Sequence, residues 1–96
     1  MSGERPKALV LHPRDNVATA IRDLGAGELV KVTVGSRSVS VKLEDHIPFR
    51  HKFALRDIPT GEAVCKYGEV IGVALRDIKT GEHVHVHNIA SPRRSG

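Results

Sequence analysis

A repeated stretch of eleven residues constrains this chain more than any other feature. The residues 54–64 return at 74–84 with only two differences, and a weaker copy lies at 21–30. The shared pattern is Arg-Asp, an aliphatic residue, two variable residues, Gly-Glu, one variable residue and Val. Gly tolerates the positive φ of a tight turn, and Asp can accept hydrogen bonds from the backbone of its own turn. The repeat therefore predicts corners between short strands.

The segment 29–43 predicts a β-hairpin. Its apolar residues alternate with polar ones on both sides of Gly35-Ser36. Alternation with a period of two is typical of a half-buried strand, and Gly-Ser between two such runs favours a two-residue type II′ turn. We expect one buried and one solvated face.

One short helix is predicted near the N-terminus, after a strand at 7–12. Asp15 or Asn16 can cap it, and the apolar residues that follow have helical spacing: Val17, Ala20, Ile21 and Leu24. The expected architecture is mainly β with this one helix, in a single domain at 7–90. Residues 1–6 and the basic residues 91–96 are expected to be disordered tails.

Composition and charge exclude several classes of function. Of the formal charge of +4, the residues near the two ends of the chain supply +3, because Arg5, Lys7, Arg93 and Arg94 outnumber Glu4 by that amount. The near-neutral middle and the aromatic content of 3% argue against nucleic-acid binding. Cys65 is the only cysteine, which excludes an intramolecular disulfide and favours a reducing compartment. With no apolar run long enough to span a bilayer, we expect a cytoplasmic protein without a membrane partner.

Two groups of residues can carry chemistry. His83, His85 and His87 alternate with valines, so a strand would place the three imidazoles on one face, where they could bind a metal or an anion. An ordinary exposed strand face would look the same. His51 and Lys52, preceded by Arg50, could hold a carboxylate, although a solvated basic loop has the same composition.

Three ordered segments resemble the N-terminal SAF domain of the altronate and galactarate dehydratase family: 47–58, 66–72 and 81–88. The stretch 12–18 is similar to the opening of that domain. The resemblance implies a β-clip fold and a role in dehydrating sugar acids with a divalent metal, usually iron. In that family the small domain is fused to a larger catalytic domain or encoded as a separate small subunit.

The resemblance also implies roles for individual residues. It makes His51 and His85 the candidate catalytic residues, and it places Lys52 and Asn88 at the substrate, where the charge of Arg50 adds a third candidate. The candidate metal ligands are His85 and His87, with His12 as a further possibility. Arg50 departs from the family pattern, in which this position is more often Gly; its guanidinium would suit a doubly anionic substrate.

We therefore expect a small subunit of a heteromeric lyase that binds an anionic sugar acid or 2-hydroxy acid for metal-dependent β-elimination. Because the sequence ends at Gly96, the large catalytic subunit is expected to be a separate partner, and Fe²⁺ to be shared with or held by it. Altronate, galactarate and sulfolactate stay open as substrates. The alternative is a carbohydrate- or acid-binding module with no catalytic role.

Overall fold

The structure is a computed structural model that describes residues 6–91. Apart from their inner edges, the predicted tails 1–6 and 91–96 lie outside the described residues. Residues 6–91 form nine strands: β1 (Ala8–Leu9), β2 (Val17–Ala20), β3 (Leu29–Val34), β4 (Arg37–Lys42), β5 (Lys52–Ala54), β6 (Ala63–Lys66), β7 (Glu69–Ala74), β8 (His83–Val84) and β9 (Ile89–Ala90). The prediction of a mainly β single domain is confirmed.

The strands form three small antiparallel sheets. Their orders are β1-β2-β5-β8, β3-β4 and β6-β7-β9. The predicted hairpin is the β3-β4 pair, in which Val30 and Val32 face the core opposite Val41 and Val39. Gly35 has a φ of 61° while the φ of Ser36 is not positive, as the predicted type II′ turn requires. Nowhere in 6–91 is there a helix long and apolar enough to cross a membrane.

The predicted helix is wrong, because its first residues form strand β2. Val17, Ala18 and Ala20 are all buried, and β2 lies between β1 and β5. It contributes to both hydrophobic clusters of the domain, one around Phe53 and one around Val64. In a strand that is buried on both faces, apolar and polar residues do not alternate. Over this short length, its apolar residues therefore also fitted the spacing of a helix.

The polar residues expected to cap that helix instead connect β2 to the β6-β7 hairpin. The Asp15 carboxylate accepts hydrogen bonds from the backbone N–H groups of Tyr67 and Gly68, at 3.0 and 2.8 Å. The Asn16 side chain accepts from the Cys65 N–H at 2.8 Å and donates to the Ala63 carbonyl at 2.9 Å. Both side chains are buried, so these bonds satisfy groups that would otherwise be costly to desolvate.

The two close repeats form a pair of corners that bind each other. Ile58 and Ile78 exchange backbone hydrogen bonds of 2.7 and 2.8 Å. The Asp57 carboxylate accepts from the N–H and hydroxyl groups of Thr80, at 2.9 and 2.8 Å. Asp77 makes the same two bonds with Thr60. The prediction that each Asp would bond to its own turn is therefore wrong, because each one secures the opposite corner.

The weaker repeat pairs in the same way with a fourth corner that is hidden in the sequence. Leu24 and Ile47 exchange backbone bonds of 2.9 and 2.8 Å, and Asp23 accepts from the Phe49 N–H at 2.7 Å. In this fourth corner Arg50 stands where the other three have Gly, and His51 stands where they have Glu. The backbone hydrogen bonds show the equivalence directly. The Arg50 N–H donates to the Ala20 carbonyl, just as the N–H groups of Gly61 and Gly81 donate to carbonyls of the strands beside their corners.

Candidate functional site

The site forms where two of these corners lead into neighbouring strands. The corner ending at His51 opens β5, and the corner ending at Glu82 opens β8. The two strands are antiparallel, with Lys52 opposite Val84 and Phe53 opposite His83. This register places Nδ1 of His51 2.8 Å from Nε2 of His83.

His85 joins this pair through a turn, and the expected strand with three histidines on one face is not formed. β8 ends at Val84, and Asn88 closes the turn that follows. The Asn88 amide donates to the His83 carbonyl at 2.8 Å, and its oxygen accepts from the His85 N–H at 3.0 Å. The His85 ring consequently stacks on His51, with centroids 4.1 Å apart and planes inclined by 21°.

Three imidazoles therefore converge, and they are not the set named from the sequence. One ring nitrogen from each of His51, His83 and His85 lies within 4.8 Å of the others. His87 is exposed, with its ring 5.2 Å from that of His83. His12 has other contacts: its Nδ1 accepts from the Arg14 N–H at 3.1 Å, and its ring packs against Gly68.

Burial and neighbouring charges lower the pKa of two of these imidazoles, His83 and His85. Burial lowers the pKa of His83 to about 4, with further lowering from His51, His87 and His85, while Asp45 opposes the shift. Burial also lowers the pKa of His85, assisted by His51 and Lys52. Neutral imidazole presents a nitrogen lone pair, the form in which it binds metals or accepts a proton.

Cationic side chains stand beside the imidazoles. Lys52 is half-buried, and its pKa is lowered first by this burial and then by Lys66. It lies near enough to His85 to affect the pKa of that ring. Arg50 is exposed, with its guanidinium 5.1 Å from the centre of the Phe49 ring. Of the predicted trio, His51 and Lys52 therefore lie at the imidazole centre, while the guanidinium of Arg50 lies over the Phe49 ring.

Asn88 was predicted to contact substrate, but its side chain is fully buried. Its two hydrogen bonds give it a positioning role for His83 and His85. His83 was singled out in the sequence only as one of three alternating histidines, without a role of its own. A signal was present: within the two close repeats, His83 replaces Ala63 at one of the two positions that differ.

Comparison with known proteins gives a family match over almost the whole chain. The model for the altronate/galactarate dehydratase SAF domain matches residues 6–92. The altronate dehydratase of Bacillus subtilis strain 168 is 42% identical over 78 residues, covering 81% of this chain and 15% of that enzyme. The galactarate dehydratase (L-threo-forming) of Escherichia coli K12 is 36% identical over 91 residues, covering 93% of this chain and 16% of that enzyme.

A relative of similar length is also found. The (2R)-sulfolactate sulfo-lyase subunit alpha of Chromohalobacter salexigens is 35% identical over 88 residues, covering 88% of this chain and 94% of that subunit. The chain thus spans about a sixth of the dehydratases that it matches, but nearly all of this lyase subunit. The region that matches is therefore almost the whole of the lyase subunit and a small part of the dehydratases.

Proposed function

The chain belongs to the altronate/galactarate dehydratase SAF domain family, and from this premise we propose that it is the small subunit of a heteromeric lyase acting on an anionic hydroxy acid. The observation that carries the proposal is the convergence of His51, His83 and His85 beside Lys52. Imidazoles next to a cationic side chain are suited to an acid that must be held by its carboxylate while a neighbouring carbon loses a proton.

The proposal requires a large catalytic subunit. A similar chain of nearly the same length is named as subunit alpha of a sulfo-lyase, and the dehydratases carry the matching region as a small part of a much longer chain. Both cases support a domain that works with a larger one. Val86 lies in the turn between His85 and His87 and is 78% exposed, and Phe49 beside Arg50 is 50% exposed. These apolar side chains next to the imidazoles are suitable contacts for that subunit.

The substrate is held by charge in this proposal. Lys52 presents an ammonium group beside His85, and Arg50 presents a guanidinium that can bind a carboxylate through two parallel hydrogen bonds. Two separate cations favour an acid with two anionic groups, such as a sugar diacid or a sulfonated hydroxy acid. A monoacid such as altronate would use only one of them.

The reaction is a β-elimination. A base removes the proton on the carbon next to the carboxylate, the electron pair forms a carbon–carbon double bond, and the bond from the β-carbon to the leaving group breaks. Hydroxide departs as water after taking a proton, and sulfite departs directly. His87 is exposed at the edge of the centre, and in this proposal it is the group that gives hydroxide its proton. Divalent iron, when bound, stabilises the negative charge that develops on the carboxylate oxygens.

Reconstitution tests the proposal. The chain is purified with its cognate large subunit, and sugar acids, sugar diacids and sulfolactate are screened for elimination with and without Fe²⁺. We expect turnover only when both subunits are present. A chain that binds such acids alone but yields no turnover in any combination would be an acid-binding module, and the proposal would be overturned.

A further inference from the structure

The imidazole centre has the donor set of a metal site within this single chain. His51, His83 and His85 each offer one nitrogen, and all three nitrogens lie within 4.8 Å of one another. Zn²⁺ and similar ions bind imidazole nitrogen at about 2.0–2.1 Å, which places two ligating nitrogens roughly 3.0–3.4 Å apart. The His51 and His83 nitrogens are already at 2.8 Å. Rotation of the half-buried rings would turn all three nitrogens toward one ion.

The protonation state of the centre suits a cation. With nitrogens of His51 and His83 2.8 Å apart, the two facing atoms cannot both carry protons. Lys52 near His85 opposes a bound cation, whereas the Asp45 carboxylate near His83 favours one. These opposite charges leave the nitrogen donors of the three imidazoles as the deciding interaction.

The backbone around the ligands is fixed in advance. Asp45 accepts the His83 N–H at 2.9 Å, and buried Asn88 holds both the His83 carbonyl and the His85 N–H. The corner at Arg50 and the pairing of β5 with β8 fix His51. Preorganised ligands lose little freedom on binding, which is why supporting hydrogen bonds usually matter for metal affinity.

We propose that this chain, without its partner, binds one divalent transition-metal ion through His51, His83 and His85. Three protein ligands leave coordination positions free, as in catalytic sites. Imidazole suits iron, zinc, nickel and copper rather than magnesium or calcium. The inference gives the proposed lyase its metal ligands and rests on the proposed function for its biological role, but metal binding itself can be measured without any activity. In this inference His51 and His83 take the place of His87 and His12, which the sequence had suggested as metal ligands.

The test uses the full chain without an affinity tag, stripped of metal. Co²⁺ and Zn²⁺ are titrated at pH 7.5 by calorimetry, and Co²⁺ also by its visible absorption. We expect one site per chain. The variants His51→Gln and His83→Gln should lose affinity by about 100-fold or more, beyond the usual effect of losing a supporting residue. His12→Gln and His46→Gln are matched controls that should bind as the unsubstituted chain does.

The outcomes separate the metal site from the lyase function. Equal affinity in His83→Gln and His46→Gln, or no binding by the full chain, would overturn the inference even if the reconstituted lyase is active. If a variant fails to fold, as judged by its thermal transition, NMR of the unsubstituted chain decides: Zn²⁺ must shift the ring signals of His51, His83 and His85. A metal-binding chain with no lyase activity would contradict the proposed function alone.

Discussion

His51 and His83 place two ring nitrogens 2.8 Å apart, although 32 residues separate them in the chain. The contact follows from the corners. His51 directly follows Arg50, which has a left-handed φ of 75°, and His83 lies two residues after Gly81, which has a φ of 87°. The strands that begin after these two corners pair with each other. The repeats thus make a rigid frame, and the site arises where the sequences of two corners depart from the common pattern.

Gly81 is expected to be the least replaceable corner glycine. The φ is 87° at Gly81 and 85° at Gly61, so Ala at either position adopts a strained backbone at a cost of about 1–2 kcal/mol. A side chain at Gly61 would meet open space, whereas one at Gly81 would collide with the Lys42 carbonyl. We expect Gly81→Ala to lower the free energy of unfolding by about 1–3 kcal/mol more than Gly61→Ala does. Chemical denaturation measures both, and equal losses would contradict the packing argument.

Arg50→Gly is expected to stabilise the domain. Arg50 adopts a φ of 75° at a corner position that is Gly elsewhere. Relief of about 1–2 kcal/mol of strain exceeds the entropic cost of Gly, about 0.5–1 kcal/mol. Thermal unfolding should show a higher Tm for Arg50→Gly and no gain for Arg50→Ala, which keeps the strain. Both variants remove the guanidinium, so both should raise KM for a diacid to the same extent; a KM unchanged in both would exclude Arg50 from substrate binding.

Stability should fall in acid because of the reciprocal Asp–Thr bonds. Hydrogen bonds from the backbone and hydroxyl of Thr80 hold the pKa of Asp57 below its usual value, and Thr60 does the same for Asp77. A carboxyl group with a lower pKa in the folded state stabilises the protein above its unfolded pKa, and this contribution is lost as pH falls through the folded pKa. We expect Tm to decrease below about pH 4.

The matched variant is Asp57→Asn/Asp77→Asn, which cannot ionise at these positions. Its Tm should be lower than that of the unsubstituted chain at pH 7 and should change less between pH 5 and pH 2. An identical acid dependence in both proteins would assign the effect to other carboxyl groups, such as Glu28, whose pKa is also lowered by its hydrogen bond with Lys7.

The exposed side chain of Val86 provides a test of the partner surface. Val86→Lys places a charge next to the imidazoles without disturbing the core, because Val86 is 78% exposed. We expect weaker assembly with the large subunit, by about tenfold or more, since charged residues are depleted from interface centres. Leu29→Lys on the β3-β4 hairpin is the control, with an exposure of 63%. Equal affinity of the two variants in a binding titration would place the interface elsewhere.

Local patterns in the sequence predicted the parts of the fold that depend on neighbours. The alternation around Gly35-Ser36 identified β3 and β4 and the buried face of their hairpin. The apolar residues after Asn16 gave a wrong helix, because β2 is buried on both sides and its polar neighbours bond to the distant Cys65 and Gly68. Four consecutive residues do not distinguish these structures.

The site was predictable only in part. His51 and His85 were both identified, but their contact depends on the register of β5 with β8, which no local pattern contains. The fourth corner was hidden because Arg50 and His51 replace the Gly and Glu that marked the others. Asn88 showed the same limit: its residue type suited a substrate contact, while its buried bonds to His83 and His85 depend on the turn that ends β8.

The most direct measurement is the turnover of the reconstituted lyase with single histidine variants. His51→Gln, His83→Gln and the control His46→Gln are each combined with the large subunit and supplied with Fe²⁺ and the preferred acid. Loss of a group at the reacting centre should lower kcat/KM by at least about 100-fold, so His51→Gln and His83→Gln should lose at least that much while His46→Gln stays near the unsubstituted value. Full activity in folded His51→Gln and His83→Gln complexes would contradict the assignment of the active centre to these imidazoles.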